Sequence, residues 1–245
     1  MSKRLRLFTI HLILSLFLAS LVISCVYLVW YYPLPLVKAE GITPILLMLI
    51  SINLIVGPLL SLLVCKEGKK SLKFDFTIII LLQISALCYG VYSIAQGRPV
   101  WLVYSVDRFE VVRNNEVIQT HIQQAQPQFQ ATSWLKPQYA AVQFAKDSKQ
   151  RNEDMFMEVL EGISIAQRPE RYVPLSQVTA QIQQRALSLS LLETFNRKIQ
   201  VKQLLAKYPN ANAYLPLKAN AVDMTVLVNK DTAEIIKIVD LRPWK

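Results

Sequence analysis

The side chains of this chain that could do covalent or acid–base chemistry are few and far apart. Cys25, Cys65 and Cys88 all lie within or at the end of apolar runs. His11 stands near the start of the first run, and His121 is the only histidine after residue 95. One histidine and no cysteine beyond residue 95 exclude zinc held by Cys and His there. No serine sits in a G-x-S-x-G context. With 6 glycines in the whole chain, no glycine-rich phosphate loop can be drawn. Asp107, Glu110, Asp223 and Asp240 could act as a general acid–base pair only if the fold brought two of them together; otherwise they are solvated or ion-paired surface acids. His11 reads either as a packing or interfacial residue or as one step of a proton relay. These residues lead to no catalytic, cofactor-binding or metal site, so the expectation is a protein that is not an enzyme and carries no cofactor.

A second kind of chemistry is written into the apolar runs. Asn53, Gly57 and Ser61 fall at i, i+4 and i+8, and Gln83, Ala86 and Gly90 at i, i+3 and i+7. Each spacing puts an amide and small residues on one helical face. In lipid, small residues let helix backbones approach, and an amide can hydrogen-bond across the contact. Pro58 lacks a backbone donor and should kink its helix. The two faces suit either packing within the protein or docking of another transmembrane helix, and the sequence leaves both open. Asp75 falls in the first turn of the third run beside Lys73, where the helix dipole favours a carboxylate. It too could serve anchoring or recognition.

The elements that carry these faces follow from hydropathy. The chain has 245 residues, 53% of them hydrophobic, and a mean hydropathy of +0.30. The excess lies in three runs, 7–31, 45–65 and 74–95, each close to the roughly 20 apolar residues a helix needs to cross a bilayer. The first is too long for a secretory signal core and shows no cleavage site. Trp30, Tyr31 and Tyr32 at its end read as an interfacial aromatic belt. Lys3, Arg4 and Arg6 precede the first run, and Lys66, Lys69, Lys70 and Lys73 separate the second from the third. Only Lys38 lies between the first and second. By the positive-inside rule the N-terminus and second loop are cytoplasmic, and everything after residue 95 is periplasmic in a Gram-negative inner membrane. The net charge of +10 divides evenly between the two parts. It is explained by topology plus a mildly basic domain, and no nucleic-acid partner is expected.

The first loop, residues 32–41, holds two prolines and should form a tight external hairpin. After the third run, alternation predicts strands at 100–106 and 108–112, a turn at Asn114-Asn115 and a further strand at 116–121. A Gln- and Pro-rich loop follows over 123–138, anchored by Trp134, then a strand over 139–145. Helices are expected at 148–162, capped by Gly162, at 174–187, and at 190–208, opened by a Ser190–Glu193 capping box and stopped by Pro209. Strands at 222–229 and 234–241 close the chain. The expected fold class is a membrane α-helical anchor of three transmembrane helices (1–95) followed by a periplasmic α+β domain (96–245).

Several pieces in order resemble one family: Tyr32-Pro-Leu-Pro-Leu, Gly57-Pro58-Leu59-Leu60, Lys73-Phe-Asp75, Gln83 with Ala86 and Tyr89-Gly90, Arg98-Pro99, and Asp240-Leu-Arg242-Pro243-Trp244. The set resembles the type IV pilin accessory proteins of the TfpX/TfpZ type. It runs the full length and is dense over 30–110 and 222–244. The resemblance implies an inner-membrane, chaperone-like protein that assists type IV pilin stability and pilus assembly. Its partners would be the bilayer and the major pilin subunit, and it supplies no catalytic residues. It also implies an acid where this chain has Asn53, so any charge pairing by that acid is lost while amide hydrogen bonding survives. A pilin-modifying membrane enzyme and a membrane sensor are the competing classes. The first would need a converging acid–base or metal constellation. The second would need a partner, because the loop at 66–73 is too short for an output domain.

Overall fold

Each apolar run is helical in the computed structural model, which describes residues 3–64, 71–143 and 147–244. Helix α1 (Lys3–Cys25) continues through a π turn, Val26–Trp30. After the short α2 (Pro35–Ala39), α3 (Ile42–Ser51) passes through a π turn, Ile52–Val56, into α4 (Gly57–Val64). Helix α5 spans Leu72–Gln96. Three stretches, Leu5–Trp30, Ile42–Val64 and Leu72–Gln96, are long and apolar enough to cross a membrane. They are apolar on all sides, as spanning helices must be where no water meets the backbone. Cys65 and the lysines at 66, 69 and 70 lie outside the described residues.

The chain forms two compact units, a helical one of residues 1–29 and 42–97 and a sheet unit of residues 30–41 and 98–245. The expected anchor of residues 1–95 thus gives up its first loop. That loop is no bare hairpin. Leu36 and Ala39 of α2 are fully buried in the main core of the sheet unit, beside Leu215, Val226 and Ile238. The amides of Ala221 and Val222 both donate to the Ala39 carbonyl, at 2.8 and 3.1 Å. Gly41 leaves α2 with φ +66°, and a Cβ there would sit 2.9 Å from that of Ala221, so the site needs glycine on both counts. Trp30 and Tyr31 are also buried in this unit. The Trp30 indole donates to the Trp134 carbonyl at 3.1 Å, so of the three rings expected as an interfacial belt Trp30 and Tyr31 are buried and Tyr32 is exposed. Trp134 itself is largely exposed.

The sheet unit is built on β1 (Pro99–Ser105) and β2 (Arg108–Arg113), an antiparallel hairpin that turns at Val106-Asp107. β1 is buried on both faces, with Leu102 and Tyr104 in one core and Trp101 and Val103 in the other. That is the period-2 consequence of a central strand. Residues 116–121 are not a strand. Glu116 instead clamps Arg113, accepting from its backbone amide at 2.9 Å, and a 3₁₀ turn replaces the ladder. β3 (Gln138–Val142) runs parallel to β1 and pairs with β4 (Tyr172–Val173).

Helix α6 (Ser148–Phe156) ends through a π turn at Gly162, whose φ of +68° makes it the expected cap. The helix expected over 174–187 is shorter: a 3₁₀ turn leads into α7 (Thr179–Arg185), then β5 (Leu187–Ser188). The single helix expected over 190–208 is two, α8 (Leu192–Phe195) and α9 (Lys198–Leu205), broken at Asn196. No capping box forms, because Ser190 pairs with the Ser188 hydroxyl at 2.9 Å. Strands β6 (Ala213–Lys218), β7 (Met224–Asn229) and β8 (Glu234–Val239) complete a sheet ordered β4-β3-β1-β2-β6-β7-β8, with β5 beside β6. The architecture is therefore three transmembrane helices joined to an α+β unit.

Candidate functional site

In the helical unit, two of the spaced faces meet each other. Pro58 offers no N–H to Leu54, and the helix relaxes there through the π turn that holds Asn53. Asn53 is buried and donates back to the Leu49 carbonyl at 3.0 Å. The turn exposes its own backbone carbonyl to α5, where Gln83 Nε2 donates to it at 3.0 Å. The Gln83 amide lies over Gly57, where a Cβ would sit 1.5 Å from Nε2. Gly90 packs against Leu49, whose Cδ1 would be 2.3 Å from a Cβ there. Gly57, Pro58 and Ser61 are buried, and Ser61 donates to the Pro58 carbonyl at 2.7 Å. Ala86 is exposed and takes no part. Asp75 accepts from the Ser71 hydroxyl at 3.0 Å at the start of α5 and touches neither glycine.

Beside this contact, α1, α3 with its π turn, and α5 enclose a groove of about 440 Å³. Its walls are Leu14, Leu18, Ile80 and Ile84 among others, with His11, Ser15, Asn53 and Gln83 as polar points. His11 and Ser15 lie at i and i+4 on the buried face of α1. His11 packs edge-on against Phe76 at 5.6 Å, and its Nδ1 is buried with no hydrogen-bond partner. A buried polar nitrogen without a partner is costly in hydrocarbon. Gly57 and Gly90 of the expected faces are thus spent on internal packing, while Asn53 and Gln83 also line the groove, opposite the face of α1 that carries His11.

The other expected residues are structural in placement. Arg98 is buried, donates to the Ser133 carbonyl at 3.2 Å and lies under the Trp134 ring at 4.4 Å; burial pulls its pKa below the usual arginine value. Pro99 opens β1 opposite Arg113. At the C-terminus, Arg242 N donates to Asn196 Oδ1 at 2.8 Å, and Asn196 Nδ2 donates to the Arg242 carbonyl at 2.9 Å. Trp244 Nε1 donates to Asp223 Oδ2 at 2.7 Å, and the Tyr214 hydroxyl donates to the Pro243 carbonyl at 3.3 Å. These bonds tie the tail to the β6–β7 turn and the α8–α9 break. The candidate acids are engaged separately: Asp107 with Arg108, Glu110 with Ser164, Asp223 with Trp244, Asp240 with Lys38 and Arg242. His121 is exposed.

A polar cleft in the sheet unit was not foreseen. β2 and β6 run parallel for only two pairs, Phe109↔Leu217 and Glu110↔Lys218. Beyond them the strands part around a cleft of about 330 Å³, lined by Glu40, Glu110, Arg113, Glu116, Lys218 and Asn220 among others. The Glu40 side chain is only 3% exposed. Its Oε1 accepts from the Asn220 amide at 3.4 Å, and its Oε2 has no hydrogen-bond partner. The nearest cation, Arg113 Nε, is 3.8 Å from Oε2 and already donates to Glu116 Oε1 at 2.9 Å. Burial pushes the Glu40 carboxyl up from 4.5 to about 7, against the pull of the Asn220 amide and Arg113. No sequence signal marked Glu40, which sits five residues past Pro35 in a short loop.

Comparisons with known proteins find relatives named as fimbrial assembly proteins. It is 31% identical over 231 residues to the fimbrial assembly protein of serogroup I from Dichelobacter nodosus, covering 91% of this chain and 89% of the relative. It is 29% identical over 231 residues to the serogroup E1 protein of the same organism, with the same coverage. A shorter relative, the fimbrial assembly protein of serogroups C1 and C2, is 33% identical over 118 residues, which is 47% of this chain. No family model matches the chain, and no solved structure does.

Proposed function

Because the chain belongs to the family of the Dichelobacter nodosus fimbrial assembly proteins, we propose that it is a non-enzymatic, chaperone-like accessory protein of the type IV pilus. It holds the major pilin subunit in the inner membrane, protects it from degradation and presents it for assembly. Its N-terminus is cytoplasmic and its sheet unit periplasmic, as the distribution of lysine and arginine along the chain supports. The observation that carries this reading is the groove of the helical unit. A lipid tail could fill its apolar walls but could not satisfy His11 Nδ1. A transmembrane helix bearing a hydrogen-bonding side chain does both, and in lipid such bonds together with close packing drive helix association.

Two experiments test it. A photo-crosslinking residue at Leu18 or Ile84, inside the groove, is expected to trap pilin, whereas one at Met48 or Leu63, exposed and outside it, is not. Equal trapping from all four positions would remove the groove from the account. A deletion strain is expected to show less pilin and fewer surface pili with pilin mass unchanged. A changed mass with normal pilin level and piliation would identify a modifying enzyme instead. A periplasm-specific reporter fused after Lys245 is expected to be active.

A further inference from the structure

The cleft between β2 and β6 has a feature that its role in the fold does not require. Glu40 is nine-tenths buried and lines the cleft, and one of its carboxylate oxygens, Oε2, accepts no hydrogen bond. Burying a carboxylate is tolerated when it is well paired, and here the pairing is incomplete. Arg113, the only cation within ion-pairing reach among the described residues, is turned toward Glu116, which takes both its Nε and its backbone amide at 2.9 Å. Lys218 lines the same cleft but forms no ion pair with Glu40. The cleft therefore offers a carboxylate whose one nearby cation, Arg113, is shared with Glu116.

We infer that this cleft is a receptor for a primary ammonium group, with Glu40 as its counter-ion. The geometry selects the cation. Glu40 Oε1 is already held by the Asn220 amide, so a single oxygen remains. A guanidinium is matched by a carboxylate that offers both oxygens, whereas an ammonium is a compact charge that binds one. Metal ions are poorly served, because among the described residues no group of three or more His, Cys, Asp or Glu is placed to hold one. A volume of about 330 Å³ admits a lysine side chain or a small free diamine. The Glu110 carboxylate, which accepts from Ser164 at 2.9 Å, and Glu116 line the same space and add negative potential. The inference is independent of the membrane groove: it concerns the sheet unit alone and would survive the failure of the pilin reading.

The test uses the full-length protein in detergent micelles, with binding followed by ligand-observed NMR. The probes are Nα-acetyl-lysine amide, cadaverine, Nα-acetyl-arginine amide and the neutral Nα-acetyl-norleucine amide. Saturable binding of the lysine probe is expected, with the norleucine probe silent and the arginine probe weaker. Glu40→Gln, which keeps the shape and removes the charge, should weaken the lysine probe roughly tenfold, as expected when a charge-assisted hydrogen bond becomes a neutral one. Lys218→Gln, an exposed change that removes a competing cation, should tighten it. The two variants move in opposite directions, so misfolding cannot mimic the result. Tighter binding of the lysine amide than of cadaverine assigns the site to a protein side chain, and the reverse assigns it to a free amine. Equal affinity in wild type and Glu40→Gln, or binding of norleucine amide as strong as that of lysine amide, would overturn the inference.

Discussion

Glu40→Gln should make the sheet unit more stable at pH 8 and leave it unchanged at pH 4. In the folded protein the carboxyl titrates near 7 instead of 4.5, because burial disfavours its charged form. A group whose folded pKa is raised contributes stability that is complete below its unfolded pKa and is lost as the pH rises through the folded one. Wild type should therefore lose stability between pH 4.5 and about 7. At 1.36 kcal/mol per pH unit the loss is about 3 kcal/mol. Glutamine is neutral throughout and keeps the acceptor that Asn220 N uses, so it avoids the loss. For a unit of this size, 3 kcal/mol corresponds to roughly 6–12 °C in melting temperature. The assay is simple because all four tryptophans, Trp30, Trp101, Trp134 and Trp244, lie in the sheet unit. Tryptophan fluorescence during heating thus reports that unit and not the transmembrane helices. The variant-minus-wild-type difference should be near zero at pH 4, grow through pH 5 to 7 and level off. A difference that is flat with pH, or a variant less stable than wild type at pH 8, would refute the view of Glu40 as a buried, underpaired carboxylate.

Three further outcomes are expected. Leu36→Ala should lower the same fluorescence melt, costing about 2–5 kcal/mol as for other fully buried leucines, although Leu36 lies in what reads as a loop. A melt within error of wild type would mean that α2 does not belong to the core. Gly57→Leu and Gly90→Leu should disrupt the packing of α5 on the second span, because their side chains would overlap the Gln83 amide and Leu49. Protein level in membranes and a disulfide crosslink between cysteines placed in α4 and α5 should both fall, and normal values for both variants would count against the contact. Trp244→Phe removes the hydrogen bond to Asp223 and should cost about 1 kcal/mol in a melt followed by far-UV circular dichroism, the usual scale for one such bond; no change would leave the C-terminal tail without a stabilising role.

Much of the architecture is written locally and can be read from the chain. Three spans follow from hydrocarbon thickness and backbone satisfaction, conditions a single segment meets by its own composition. The hairpins β1–β2 and β7–β8 follow from alternation over neighbouring residues, and Gly162 from the left-handed geometry a helix end requires. The packing faces around Gly57 and Gln83 were visible as spacing, though not that they face each other. What the chain hid depends on residues far apart in sequence. Strand β6 carries Pro216, which argues against a strand, yet it is held by β7 on one side and by a two-pair parallel contact with β2 on the other. The loop before the second span reads as an exposed proline turn, yet Leu36 and Ala39 complete a core built mostly from residues after 100. No local pattern marks Glu40; it becomes a buried, underpaired carboxylate only because residues distant in the chain, Arg113 and Asn220 among them, are brought beside it. Composition decides where each segment can live. Burial decides what a polar side chain there can do, and burial is a property of the assembled fold.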